Sequence, residues 1–172
     1  AKVSIGSSMT LDLTYNTDFA QVEADEQQIN LDRFSLFFPE KRAFFLENAG
    51  LFSVGSGGGY SGPDIEMFFS RRIGVGTDGI PVPIIGGGRL TGTLSGMKVG
   101  ILSMVTDEVK NVTDQNNYSV FRLKKELPNR TYIGGMYTAL DHKGHDGYIN
   151  QSYAIDAQLG IGELNKIIAF AG

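Results

Sequence analysis

The chain is predicted to be all-β, an antiparallel up-and-down meander, and three observations carry that reading. Residues 8–16 and 148–161 alternate apolar and polar side chains with period two. Polar or glycine-containing turns separate the later apolar segments. The connections between those segments run short, long, short, long, short: 95–96, 106–117, 128–129, 141–147 and 162–165. Tight turns at one end of a sheet and longer polar loops at the other are the construction of membrane β-barrels, and a water-soluble meander has no reason to sort its loops this way.

The elements follow in order. In 8–16, Met9, Leu11, Leu13 and Tyr15 share one face, and Thr10, Asp12, Thr14 and Asn16 the other. In a membrane barrel the apolar face meets lipid and the polar face lines the lumen, so Met9, Leu11, Leu13, Ile155, Leu159 and Ile161 are expected outside and Asp12, Asn16, Asp156 and Gln158 inside. Residues 20–30 are acidic and glutamine-rich, without period. In 31–52, Phe34, Leu36, Phe37, Phe38, Phe44, Phe45 and Leu46 flank the charged centre Pro39-Glu40-Lys41-Arg42. Adjacent phenylalanine pairs break period two, and three consecutive charges would force one towards lipid. Residues 30–52 are therefore expected as a plug-like insert folded against the inner wall, with 30–48 the one place where a helix is allowed.

Residues 55–62 read as a Gly/Ser linker and 65–73 as a short strand ending in Arg71-Arg72. Pro81 and Pro83 open the next strand at its edge. Strands are expected over 89–94, 97–105, 118–127, 130–140, 148–161 and 166–171. In 148–161, Ile149, Tyr153, Ile155, Ala157, Leu159 and Ile161 share a face interrupted by Gln151. About eight strands are the minimum for a small closed barrel, whose filled interior could not hold the aromatic insert. The 172 residues are thus expected to be the N-terminal portion of one barrel domain, open here and closed by strands beyond Gly172.

Composition bounds the function classes. No segment reaches the ~20 apolar residues of a membrane helix, whereas a membrane strand needs only ~9–11. The 23 glycines suit turns and bends in a sheet, and the absence of cysteine excludes disulfide scaffolds and thiolate metal sites. A net charge of -4 makes no case for nucleic acid.

At residues 16–52 and 68–94 the chain reads NTDFAQVEADEQQINLDRFSLFFPEKRAFFLENAGLF, then FFSRRIG, then PVPIIGGGRLTG, with YSVFRLKKELPNRTYIGGMYT later. These blocks resemble a bacterial outer-membrane β-barrel family labelled DUF5916, in which a carbohydrate-binding family 9-like domain usually precedes the barrel. The resemblance runs over about residues 9–161. It implies a barrel in the bacterial outer membrane, with the lipid bilayer as partner, carbohydrate as an open second partner, and a pore, transport or surface-scaffold role. It implies no settled activity. The alternative is a soluble periplasmic or secreted β-domain that binds or hydrolyses carbohydrate.

The chemistry-bearing residues admit two readings each. Glu40, Lys41, Arg42 and Glu47 form a charged constellation in a lumen, or they pair with one another and with strand charges; pairing is preferred because buried charge demands it. Arg71, Arg72 and Arg89 line a lumen and favour anions, or they pair with Glu23, Asp25 and Glu26; pairing is again preferred. Asp141, His142, His145 and Asp146 hold metal-ligand residue types, but no other histidine completes a site, and an exposed loop tip is preferred. Asp107, Glu108 and Asp114 lack EF-hand spacing. Gly55-Ser56-Gly57 belongs to a glycine run and lacks the strand–turn–helix context of a nucleophile elbow, and both histidines sit in one loop, which disfavours a Ser-His-Asp triad. Gly86-Gly87-Gly88 lacks the lysine and helix of a phosphate loop. Glu40 and Glu47 as a glycosidase dyad have no separation set by the sequence. No catalytic residue and no cofactor is expected; the residues favour a non-enzymatic role and leave enzymatic activity open.

Overall fold

A computed structural model of the chain describes residues 1–17, 40–55, 66–76, 80–144, 147–162 and 165–172, with the side chain of Thr17 excepted. Eight strands form one sheet in strict chain order: β1 (Lys2–Ile5), β2 (Met9–Thr17), β3 (Ile84–Leu94), β4 (Met97–Thr106), β5 (Asn116–Leu127), β6 (Thr131–His142), β7 (Ile149–Ile161) and β8 (Asn165–Ala171). Every neighbouring pair is antiparallel. The chain is thus an all-β up-and-down meander, as its alternation and turns predict. The sheet is open, with β1 and β8 at its edges.

Turn chemistry accounts for the tight end. Ser95 and Gly96 both hold left-handed φ (51° and 73°), as do Asn129 and Arg130 (58° and 55°). Two consecutive positive φ values give the hairpin turn whose twist matches that of the flanking strands. Residues 6–8 close a further hairpin at this end, where β7 and β8 also pair through Ile161 and Asn165. The connections 107–115 and 143–148 lie at the opposite end, together with the long passage from β2 to β3. The alternation of loop lengths therefore extends along the whole meander.

Three elements differ from expectation. β1 was not predicted, because Lys-Val-Ser-Ile is too short to display a period. Residues 66–73 do not form a strand: Ser70–Arg72 is a turn of 3₁₀ helix preceded by irregular chain. The physical reason is topological. β2 pairs directly with β3 through a register running from Met9 opposite Gly92 to Thr17 opposite Ile84, so the passage between them has no free strand edge and must leave the sheet. Helical turns also reach beyond 30–48. A single α turn, α1 (Ala43–Leu46), lies inside that range, but 3₁₀ turns occur at Ala49–Phe52 and Ser70–Arg72. Residues 18–39, which hold the acidic segment and the first phenylalanines, and most of the 55–62 linker lie outside the described residues.

The two faces of the sheet have opposite character. One is covered by the passage between β2 and β3. There Phe45, Phe52, Val54 and Ile73 from the passage pack with Leu102, Met104, Val120 and Met136 from β4 to β6. Phe44 meets Phe45 edge-on at 5.1 Å, and Phe52 meets Phe68 at 5.9 Å. This face also carries Asp12, Arg89, Arg122 and Asp156, all buried. The other face is bare and apolar. Registers align Val3, Leu11, Leu90, Ile101, Phe121, Tyr137 and Tyr153 in one row from β1 to β7. Many of its large side chains are open, with Tyr15 84%, Ile155 66% and Tyr153 62% exposed, while Leu11, Leu90 and Tyr137 are half-buried and Val99 is buried among its neighbours. Asp12 and Asp156 thus lie on the covered face, and Leu13, Ile155, Leu159 and Ile161 on the bare face. Asn16 is exposed at a left-handed φ of 47°, beside the register shift between Ile84 and Gly86.

Gly100 makes the central packing possible. A Cβ there would lie 3.0 Å from the Phe52 ring and 2.9 Å from Leu51. Gly100→Val is expected to displace Phe52 and to lower stability by about 1–3 kcal/mol through overpacking, measured by denaturant unfolding against wild type.

Candidate functional site

The covered face gathers three arginine–carboxylate centres. Each begins with an arginine that burial forces to find acceptors, since an unpaired buried charge costs several kcal/mol.

The first centre joins three chain segments. Register sets Asp12 of β2 opposite Arg89 of β3. Arg89, 1% exposed, donates Nη2 to Asp12 Oδ2 at 2.8 Å and to Glu47 Oε2 at 3.0 Å. Its Nη1 donates to the carbonyl oxygens of Phe44 and Glu47, at the end of α1. Lys2 of β1 closes the group by pairing with Glu47. The second centre lies within the passage. Arg42 donates Nε and Nη2 to the two oxygens of Glu40 (2.8 and 2.7 Å), and reaches the carbonyls of Ile73 and Ser70 at 2.7 Å each. Ser70 Oγ donates to Glu40 at 2.7 Å, and the Arg42 guanidinium lies 4.2 Å from the Phe45 ring centre. Arg42 thereby ties residues 40–45 to residues 70–73.

The third centre crosses a strand. Arg122 of β5 and Asp156 of β7 form a two-pronged pair at 2.6 and 2.8 Å over the intervening β6. β6 permits this because residue 134 is glycine: a Cβ there would fall 2.7 Å from both Arg122 Nη1 and Asp156 Oδ1. Asp156 also accepts the Gly55 backbone N–H at 3.1 Å, which anchors the far end of the 40–55 segment to the sheet.

Burial opposes ionisation of Glu40, but hydrogen bonds from Arg42 and Ser70 outweigh it and hold the carboxyl below the ordinary range. The hydrogen bond from Lys2 likewise holds Glu47 below that range. Both groups remain carboxylates, as their arginine partners require.

The structure thus brings Arg89 and Glu47 together and joins Glu40 to Arg42. It does not bring Glu40 and Glu47 into one site, because each serves a different arginine. Lys41 is exposed, and Arg71 and Arg72 lie in the 3₁₀ turn that borders a cavity of about 230 Å³ between residues 67–73 and β5–β7. Glu23, Asp25 and Glu26, the partners expected for the basic set, lie outside the described residues; Arg89 uses Asp12 and Glu47. His142 stacks on Tyr148 with ring centres 4.2 Å apart, while His145 and Asp146 lie outside the described residues. Among the described residues no three His, Cys, Asp or Glu side chains group as for a metal ion. Sequence reasoning missed Arg122. The available signals were its place with Lys124 and Glu126 on the polar alternate of β5, and the glycine at 134 in the next strand.

Residues 1–81 match the family described as Domain of unknown function (DUF5916). That span contains the aromatic and charged block and the Arg71-Arg72 block, and it supports the family label for this part of the chain. Neither the curated proteins nor the solved structures contain a match.

Two measurements bear on these centres. Asp156→Ala leaves Arg122 buried and unpaired and is expected to cost about 3–5 kcal/mol; Gly134→Val should destabilise by driving the same pair apart, read by thermal unfolding. The second concerns acid. Folding lowers the Glu40 pKa, so its stabilisation is complete above the ordinary value of 4.5 and is lost as pH falls through the folded value. Glu40→Gln should therefore be less stable than wild type at neutral pH, with the gap closing below about pH 4.5 in parallel unfolding curves.

Proposed function

We propose that the chain forms part of the wall of a β-barrel in a bacterial outer membrane, with its bare face against lipid and the passage residues 40–55 and 66–76 on the lumenal side. The observation that carries this reading is the inverted polarity of the sheet. In a water-soluble sheet the apolar face is covered and the charged face is open. Here the charged face is covered and the apolar face is open. Among the described strand residues, the bare face carries two charges, Lys125 and Asp141. They sit towards opposite ends: Ile133, opposite Lys125, and Asp141 are eight residues apart along β6, about 26 Å at ~3.3 Å per residue. A strand tilted by about 40° would turn that into roughly 20 Å of bilayer thickness, near the ~25 Å apolar band of such barrels. The strands β3 to β7, at 10 to 13 residues, meet the ~9–11 that a tilted membrane strand needs.

In this reading the passage is a plug. Its three arginine centres face the lumen, where charge is tolerated, and the wall is a gated or occluded pathway for a solute. Deleting residues 34–47 from the complete protein is then expected to raise single-channel conductance; unchanged conductance in a folded barrel would remove the plug role. The lipid contact is tested separately. Leu11→Arg, between Met9 and Leu13 on the bare side of β2, should cost about 2–4 kcal/mol in folding into bilayers. Single cysteines at 101, 121 and 155 should take up a bilayer-resident label in native membranes, while a cysteine at 110 should not. Equal labelling of all four positions would show that the bare face does not meet lipid.

A further inference from the structure

Among the described residues, the covered face leaves space at its tight-turn end. Two cavities of about 540 and 510 Å³ open there beneath the 3₁₀ turn at Gly50. They share Gly50 and Lys124, so they form one cleft with two lobes. Each lobe lies within the 300–1,000 Å³ range of small-molecule sites.

The charges of this cleft are unusual for a sheet. Lys98 of β4 and Lys124 of β5 are direct cross-strand partners on the covered face. Like charges in that relation repel and destabilise the pair. Glu126 pairs directly with Lys98 at 2.7 Å, and its charge also acts on Lys124. Lys124 has no ion pair among the described residues. Its ammonium instead lies 3.9 Å from the centre of the Tyr132 ring, which holds the cation in place without neutralising it. Arg130 adds a further cation at the rim, where its described donation goes to the Gly162 carbonyl. Among the described residues, Lys98, Lys124 and Arg130 thus gather around the cleft with Glu126, while the Asp156 carboxylate, held by Arg122, also acts on Lys124 from deeper in the face. The remaining lining is rich in neutral donors and acceptors, among them Thr10, Thr93, Thr131 and Gln158.

We infer that this cleft is a binding site for a small anionic, hydroxyl-bearing solute, with Lys124 as the residue that holds its carboxylate or phosphate. The facing lysines are an electrostatic cost that an anion between them converts to attraction. The neighbouring hydroxyl and amide side chains give hydrogen bonds to a hydroxylated body of one or two rings, which the two lobes accommodate. A carboxylate and a phosphate present the same chemistry to Lys124, and the assay distinguishes them. The inference does not depend on where the bare face lies, since the cleft opens on the covered side.

The test is calorimetric titration of the complete detergent-solubilised protein with glucuronate, glucose 6-phosphate and inorganic phosphate, with glucose as the uncharged control. At least one anion is expected to bind, and glucose at least tenfold more weakly. Glucuronate as the tighter ligand assigns a carboxylate, and glucose 6-phosphate a phosphoryl group. Inorganic phosphate binding as tightly as either sugar would overturn the hydroxyl-bearing class. Lys124→Met should reduce affinity at least tenfold, Lys124→Arg should restore most of it, and Lys110→Gln, at the opposite end of the sheet, should leave it unchanged. Lys98→Gln gives a second reading should Lys124→Met fail to fold, with the same loss expected. Undiminished affinity in the folded Lys124 or Lys98 variants, equal binding of glucose, or no binding of any probe overturns the assignment.

Discussion

Arg89 is the interaction on which the arrangement of the molecule depends. Its guanidinium is almost wholly removed from solvent, and a buried guanidinium is tolerated only when its donors meet acceptors. The sheet supplies one acceptor, Asp12 on the neighbouring strand. That does not satisfy a five-donor group. Three more acceptors come from the end of α1, the carbonyls of Phe44 and Glu47 and the Glu47 carboxylate, all taken by Nη1 and Nη2. The cation therefore selects where the passage between β2 and β3 docks. Once docked there, the passage places Phe45 and Phe52 on the apolar part of the same face, and the core forms between them and β4 to β6.

The other two arginine centres extend the same logic. Arg42 gives the passage its own internal frame, so that two segments 28 residues apart present one surface to the sheet. Asp156 binds Arg122 and the Gly55 backbone together, which holds the far end of the 40–55 segment. Ion pairs of this kind contribute little net stability against apolar replacements, but they penalise every arrangement that leaves a partner unpaired. In a segment rich in phenylalanine, which would pack acceptably in many orientations, that penalty selects one.

The meander and its faces were legible from local signals. Alternation in β2 and β7 identified both strands to within a residue, and it assigned Asp12 and Asp156 to one side and Leu13, Ile155 and Leu159 to the other. Turn residues located the hairpins at 95–96 and 128–130. The candidate site was legible only in kind: buried charges near residues 40–47 had to pair, and Arg89 had to find acids. The partners were not legible. Arg122 and Asp156 lie 34 residues apart and meet diagonally across β6, which requires both the register of two strand pairs and a glycine at 134. The short strand β1 and the 3₁₀ turn at 70–72 were also missed, since four residues carry no period and the apolar Met67, Phe68 and Ile73 within the expected strand 65–73 look alike whether they join a sheet or pack on one.

The sequence by itself determined the all-β class, the strand order implied by short turns, and the division of β2 and β7 into an apolar and a polar side. These are properties of neighbours along the chain: period two follows from backbone geometry, and tight hairpins from residues that accept positive φ. Only the tertiary structure decided which side is covered. The polar side is covered because the β2-to-β3 passage carries arginine and carboxylate groups that match its own, and the apolar side is left open. It also set Lys98 against Lys124 across two strands. Such pairings are made by register and docking, which act between residues far apart in the chain and have no signature in any short stretch of it.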